Sequence, residues 1–300
     1  MASNNPNNLT ETDLTILPPK KGKGVIKMKR PVNKALFNVE RGCLMLLIGL
    51  PGAGKTTCIL NLLANENFLK KYYETVHFIG ATIEFDPTLR PLTEFYGNCH
   101  NDLGDATLNA IIKSQLEQDE DERTNMCLII DDCLSLPGFS ARKDTTLNRL
   151  FGIHRHVTRG HLPTEDNNYE SGGGGLVILS TQRLWGSTPV NARACADAIC
   201  IGRTANEEQL GRTAKEYGGM FGGEEQLRQM IDYCFHNEDH GFICLYIAGD
   251  MDPESKGPVA YKNWAEKIFP TDRFPAKDVG LSKAYREEVE NPEDKNISND

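Results

Sequence analysis

The sequence predicts an α/β protein built on a mainly parallel sheet with helices on both faces. Three observations carry this reading. Short, almost continuous apolar runs alternate with stretches of helical spacing, the pattern of strands buried on both faces. The first run passes through a glycine-rich turn into a helix. The longest apolar run, Leu44 to Leu50, is interrupted at Gly49 and falls far short of the roughly 20 residues of a membrane span. An integral membrane protein is therefore not expected.

The elements follow in order. CLMLLI (43–48) is a buried strand, and a helix runs from Lys55 to about Ala64. TVHFIG (75–80) is the second strand. TLNAIIKSQLEQ (107–118) has helical spacing and leads into the acidic turn QDEDER. CLIID (127–131) is the third strand. Leu147, Leu150, Phe151 and Ile153 recur at helical intervals within 144–159. LVILS (176–180) and DAICI (197–201) are the fourth and fifth strands. IDYCFH (231–236) and GFICLYI (241–247) alternate around a short polar link, which predicts a C-terminal hairpin added to the sheet edge.

Outside this alternation the chain is polar. In 300 residues, 39% are apolar and 25% charged, leaner than a chain that is all core. Residues 1–18 are Asn- and Thr-rich and are expected to be disordered. Residues 20–34 hold seven Lys or Arg and no acid. Two readings fit that run: a solvated leader, or a basic arm that touches nucleic acid, a capsid or a membrane surface. No secretory signal opens the chain. The insert TEDNNYESGGGG (164–175) is expected as a flexible surface loop, because four consecutive glycines lose much backbone entropy on ordering. Residues 271–300 hold eight acids against five bases and read as a fraying tail. The expected organisation is an arm over 1–35, one domain over 36–270 and a tail over 271–300.

A net charge of −9 argues against a uniformly basic nucleic-acid coat but not against a local basic patch. The nine cysteines are odd in number and scattered, with no CxxC pair; reduced thiols in a cytosol-like compartment are expected. Cys234, His236, His240 and Cys244 are zinc-ligand types at an unusual spacing, and hairpin core plus loop histidines is the preferred reading. His154 and His156, two apart on a helix, point to different faces and form no joint site.

The chemistry begins at Gly49-Leu50-Pro51-Gly52-Ala53-Gly54-Lys55-Thr56, which fits GxxxxGK[ST] and is followed by Thr57. Glycines let backbone N–H groups converge on phosphate oxygens, and the helix behind presents its positive end to the same anion. Lys55 places a charge on the outer phosphates, and Thr56 offers a hydroxyl to Mg²⁺. LIIDDC (128–133) is an apolar strand ending in two carboxylates. Asp131 is the candidate for holding Mg²⁺, and Asp132 for orienting the attacking water or taking its proton. LVILSTQ (176–182) ends in Ser180, Thr181 and Gln182. The Gln182 amide is the candidate for binding the terminal phosphate or the attacking water and reporting hydrolysis.

These motifs in this order, GLPGAGKTT, LIIDDCL, LNRLFGIHRHV and LSTQRLWGSTPVNAR, resemble the FtsK/HerA branch of P-loop ATPases. The finer resemblance is to the viral DNA-packaging ATPases of poxviruses, other nucleocytoplasmic large DNA viruses and virophages. It covers roughly residues 40–250. It implies a three-layer RecA-like P-loop NTPase fold in which the TQ strand lies between the loop strand and the carboxylate strand. It implies ATP and Mg²⁺ as cofactors, and a homo-oligomeric ring, pentamer or hexamer, with ATP sites at subunit interfaces. Double-stranded DNA would be driven through that ring into a preformed capsid. The further partners implied are capsid or inner-membrane vertex proteins, and the place of action is the host cytoplasm or viral factory, with virion association open. An arginine from a neighbouring subunit is expected at each site: Arg155 first, Arg193 second, with Arg149, Arg159 and Arg183 as competitors. One departure is Asp132, where many relatives of that branch have Glu. Two rival readings remain: a P-loop hydrolase or kinase acting on small molecules, and an ATP-switched scaffold in virion assembly.

Overall fold

Six parallel strands form the centre of the sheet, and the phosphate loop, Asp131, Asp132 and Gln182 all follow strands at the same end of it. The structure, a computed structural model, describes residues 14–16, 26–28, 42–65, 68–70, 72–118, 125–133, 136, 139, 145–158, 160–163, 169–173, 175–203, 206–236, 240–247 and 258–268. The tail over 271–300, most of the basic run, Arg159 and the acidic turn beyond Gln118 lie outside these residues.

In chain order the elements are β1 (Leu14–Ile16), β2 (Ile26–Met28), β3 (Cys43–Ile48), α1 (Lys55–Ala64), β4 (Thr75–Ile79), α2 (Arg90–Tyr96), β5 (Asn98–His100), α3 (Asp105–Leu116), β6 (Met126–Ile130), α4 (Thr146–Val157), β7 (Gly160–Pro163), β8 (Tyr169–Gly173), β9 (Leu176–Thr181), α5 (Val190–Cys195), β10 (Ala198–Gly202), α6 (Glu207–Tyr217), α7 (Glu224–Phe235), β11 (Phe242–Tyr246), β12 (Val259–Lys262) and β13 (Glu266–Ile268). The main sheet has nine strands in the order β13-β12-β11-β10-β3-β9-β6-β4-β5. From β10 to β5 every pairing is parallel. The remaining three strands are antiparallel.

Alternate residues of each central strand feed two separate cores, as the period of 2 requires. Leu44, Leu46, Leu128, Ile130, Val177 and Leu179 face one core with Leu108, Ile111, Leu150, Phe151 and Leu227. Cys43, Met45, Cys127, Ile129 and Ile178 face the other with Ile59, Leu62, Leu63 and Leu92. Helices α1 and α2 thus cover one face and α3 to α7 the other, giving the expected three layers.

The C-terminal addition is present but built differently. Residues 231–236 are not a hairpin arm; they finish α7, whose Leu227, Met230, Ile231 and Cys234 are all buried at helical spacing. The alternation read over six residues was a fragment of a 3.6-residue period that begins at Glu224. The antiparallel extension consists instead of β11, β12 and β13.

Two polar segments are also more regular than expected. Within the N-terminal arm, Leu14–Ile16 pairs antiparallel with Ile26–Met28. The glycine-rich insert is partly strand: β8 within it pairs antiparallel with β7 just before it, with a register shift at Gly160/His161. Residues 164–168 and 174 of that insert lie outside the described residues. Gly175, its last glycine, is fixed for lack of room. A Cβ there would lie 2.2 Å from both Met126 O and Thr158 Cβ.

Cys200 and Cys244 sit opposite each other on β10 and β11 and are joined as a disulfide. That departs from the expectation of uniformly reduced thiols. Their separation of 44 residues gave no hint of a shared register.

Candidate active site

The loop between β3 and α1 lies at the C-terminal edge of the parallel sheet. Gly52 and Gly54 adopt left-handed conformations, with φ of 81° and 87°, which side chains with a Cβ resist. Gly49 needs its glycine for space, since a Cβ there would lie 2.9 Å from that of Ala53. No side chain caps α1 at Gly54, so its leading N–H groups face the open side of the loop, the arrangement that receives an anion. Lys55 Nζ donates to Gly49 O at 2.7 Å and to Leu50 O at 3.2 Å, which holds the ammonium over the loop.

One cleft, of about 190 Å³, is lined by Pro51, Gly52, Lys55, Thr56, Thr82, Asp86, Asp131, Asp132, Ser180, Thr181 and Gln182. Five residues singled out from sequence for chemistry, Lys55, Thr56, Asp131, Asp132 and Gln182, therefore meet in one place. The strand order explains how. β9 lies between β3 and β6, so the loop, the serine–threonine–glutamine end and the paired aspartates stand side by side. Gly49 N–H donates to Thr181 O at 3.1 Å, tying the phosphate loop to the strand that carries Gln182. Gly49, Ala53, Gly54 and Thr57 shape or follow the loop without lining that cleft.

Burial and charge set the electrostatics. Asp131 is buried and Asp132 exposed. Burial pushes the Asp131 pKa up; Ser180 and the Lys55 ammonium pull against it, and Asp132 adds to the rise. Ser180 Oγ lowers that pKa by its proximity, although it makes no hydrogen bond of ordinary geometry. Burial pulls the Lys55 pKa down, and the two aspartates oppose that pull. Asp131 is a carboxylate that water solvates poorly, with Asp132 and Asp86 beside it, and a cation relieves that cost. The donors are all hard oxygens: the Thr56 hydroxyl and the Asp131 carboxylate, with Asp132 and Asp86 beside them. This set fits Mg²⁺, which is bound by one or two carboxylates together with water and phosphate. Thr56 and Asp131 would hold it, and it would supply charge neutralisation for phosphate oxygens. Among the described residues no three His, Cys, Asp or Glu side chains converge as a metal cluster.

Asp132 has φ of 48°, which turns the chain sharply after β6. Behind it Asp131 N–H donates to Ile79 O at 2.9 Å. Gly80 lets β4 pass close to the aspartates, since a Cβ there would lie 2.4 Å from Asp131 O.

Two cleft residues were missed from sequence. Thr82 and Asp86 flank the short 3-10 turn Ile83–Phe85 and line the aspartate side of the cleft. Asp86 is held by a hydrogen bond from Thr88 N–H at 2.7 Å. The signal was available: TIEFD follows a parallel strand, and all such strand exits share one edge.

The arginine candidates lie elsewhere. Arg155 pairs with Asp197, whose Oδ2 accepts from Leu44 N–H at 2.9 Å and faces His154 Nε2 at 3.0 Å. A Cβ at Gly42 would lie 3.3 Å from Arg155 Cα. Arg155 therefore sits at the start of β3, the end of the sheet opposite the loop. Arg193 stacks over Trp185, 4.1 Å from the ring centroid. Neither lines the cleft of its own chain, so either could act only on a neighbour's site. Arg149 and Arg183 are exposed and also outside the cleft lining.

The zinc-ligand types do not assemble: Cys234 is in the core on α7 and Cys244 is joined to Cys200. Among the described residues no helix is long and apolar enough to cross a membrane.

No family model matches this sequence, and no curated protein does. The structure is similar to the genome-packaging NTPase B204 of Sulfolobus turreted icosahedral virus 2 in its AMPPCP complex, at TM-score 0.46 and 16% identity, over 71% of this chain and 95% of that one. It is also similar to the pCW3 conjugation coupling protein TcpA with ATPγS, at TM-score 0.41 and 13% identity, over 83% of this chain and 64% of that one. A third similarity is to the N-terminal domain of zonular occludens toxin from Neisseria meningitidis, at TM-score 0.31 and 14% identity, over 55% and 78%.

Proposed function

We propose that this chain is an ATPase of the FtsK/HerA type that drives double-stranded viral DNA into a capsid. The observation that carries the reading is the single cleft in which Lys55, Thr56, Asp131, Asp132 and Gln182 meet. In this reading the loop amides and Lys55 hold the phosphates. Thr56 and Asp131 hold Mg²⁺, and Asp132 orients water toward the terminal phosphorus. Gln182 senses that phosphate, and the tie from Gly49 to Thr181 carries its state to the loop. Subunits form a ring of five or six, which works in the host cytoplasm or viral factory and docks on capsid or inner-membrane vertex proteins. A neighbour's arginine completes each site; the Asp197 pairing already gives Arg155 a structural task, which moves Arg193 forward. The domain limits stay at 36–270, with an N-terminal arm and a charged tail.

The test is nucleotide binding and ATP turnover, each with and without double-stranded DNA. Lys55→Ala is expected to lose nucleotide binding. Asp132→Asn is expected to keep binding and to lower turnover by about 10²-fold or more, the usual scale of a lost general base. Turnover by Lys55→Ala at the wild-type rate would remove the loop from the mechanism. Turnover indifferent to DNA would remove the motor and leave a simple nucleotide hydrolase.

A further inference from the structure

We infer that His240, beside the phosphate loop and outside the lining of this cleft, is the nucleoside-contact residue, its imidazole stacking on the purine base. The inference rests on the triphosphate reading above and gives the other end of the same ligand a place. The phosphate loop ends β3, which is flanked by β9 on one side and β10 on the other. Asp131, Asp132 and Gln182 all leave the sheet on the β9 side, at the ends of β6 and β9. A triphosphate whose terminal phosphorus faces them must direct its nucleoside the opposite way, over the β10 side of the loop.

His240 stands on that side. It precedes β11, whose first residue Phe242 pairs with Gly202 at the end of β10. Gly202 in turn abuts the loop: a Cβ there would lie 3.5 Å from that of Ala53. From this edge the imidazole reaches over Gly54. A Cβ at Gly54 would lie 3.7 Å from both Cβ and Nδ1 of His240. His240 is exposed, so its ring face is free of the core. A flat ring beside the loop, on the side away from the aspartates, is suited to a purine face. Every base has such a face, and stacking of this kind tolerates base identity.

The test separates the two ends of the ligand. Binding of ATP and of inorganic tripolyphosphate, each with Mg²⁺, is measured by calorimetry on the full chain, wild type and variants. His240→Ala is expected to weaken ATP about tenfold, on the scale of one base–aromatic stack, and to leave tripolyphosphate within about twofold, the part of the ligand that the ring does not meet. His240→Phe keeps a stacking face and is expected to restore ATP binding to within about threefold of wild type. Lys55→Ala is expected to lose both ligands. Unchanged ATP binding in His240→Ala would overturn the inference. Equal losses of ATP and tripolyphosphate, unrescued by phenylalanine, would also overturn it by making the histidine a phosphate ligand. If the wild-type chain bound neither ligand, or if Lys55→Ala bound both normally, the phosphate-loop reading would fail and this inference with it.

Discussion

Replacing Asp197 by alanine asks what the Arg155 cluster is for. The Asp197 side chain is 1% exposed and that of Arg155 48%. Burial works to raise the Asp197 pKa, but the hydrogen bonds from His154, Leu44 N–H and Arg155 outweigh it, and the net direction is down. The carboxylate therefore adds stability that is complete above the unfolded-state pKa near 3.9 and is lost as pH falls through the lower folded value. Its removal leaves Nε2 of the buried His154 and the Leu44 N–H without their acceptor; Nδ1 of that ring keeps Phe151 O. Leaving a buried donor unpaired costs about 1–3 kcal/mol, so the two together cost about 2–6 kcal/mol. Arg155→Ala removes only a half-exposed partner, worth about 1 kcal/mol. In a domain of this size each kcal/mol moves Tm by about 2–4 °C. Asp197→Ala is thus expected to lower Tm by about 4–24 °C, and Arg155→Ala by about 2–4 °C. Urea and thermal unfolding followed by far-ultraviolet circular dichroism measure both. An Asp197→Ala protein within about 1 kcal/mol of wild type would refute the reasoning, as would a larger loss from Arg155→Ala than from Asp197→Ala.

Two further outcomes concern packing and acid. Gly175→Ala forces a Cβ against two backbone carbonyls and Thr158, and is expected to cost about 1–3 kcal/mol or more. The exposed helical Gly152 has nothing within 4 Å of such a Cβ, so Gly152→Ala is expected to gain about 0.5–1 kcal/mol; urea midpoints compare the two. Burial, then the neighbouring His100, pulls the His77 pKa down to about 4. Because that value is below the unfolded-state 6.5 or so, the unfolded chain binds more protons between the two. The His77 contribution is complete above about 6.5 and is lost as pH falls toward 4. Wild type minus His77→Phe stability, measured across that window, is expected to rise with pH; a flat difference would contradict the burial of the ring.

Most of the site was legible because its chemistry is local. The loop, the aspartate pair and the glutamine each stand at the end of an apolar run, and in a parallel sheet all run-ends that precede helices share one edge. Five strands and three helices were placed within a few residues for the same reason: CLMLLI, MCLII and LVILST are apolar on both faces. What was not legible depends on distance in sequence. The partner of Arg155 is 42 residues away, and the contact of His240 with Gly54 links residues that no motif joins. Over 231–236 the helix was misread because a window of six cannot separate periods of 2 and 3.6. Helix α2 and strand β5 are too short for either period to register.

The left-handed turn at residue 132 has a bearing on its chemical identity. With φ at 48°, the cheap occupants are glycine, asparagine and aspartate, whose short polar groups tolerate such a backbone. Glutamate would bring a longer carboxylate at a conformational penalty. The main chain thus selects the shorter acid, and asparagine becomes a substitution that silences the carboxylate while leaving the bend undisturbed.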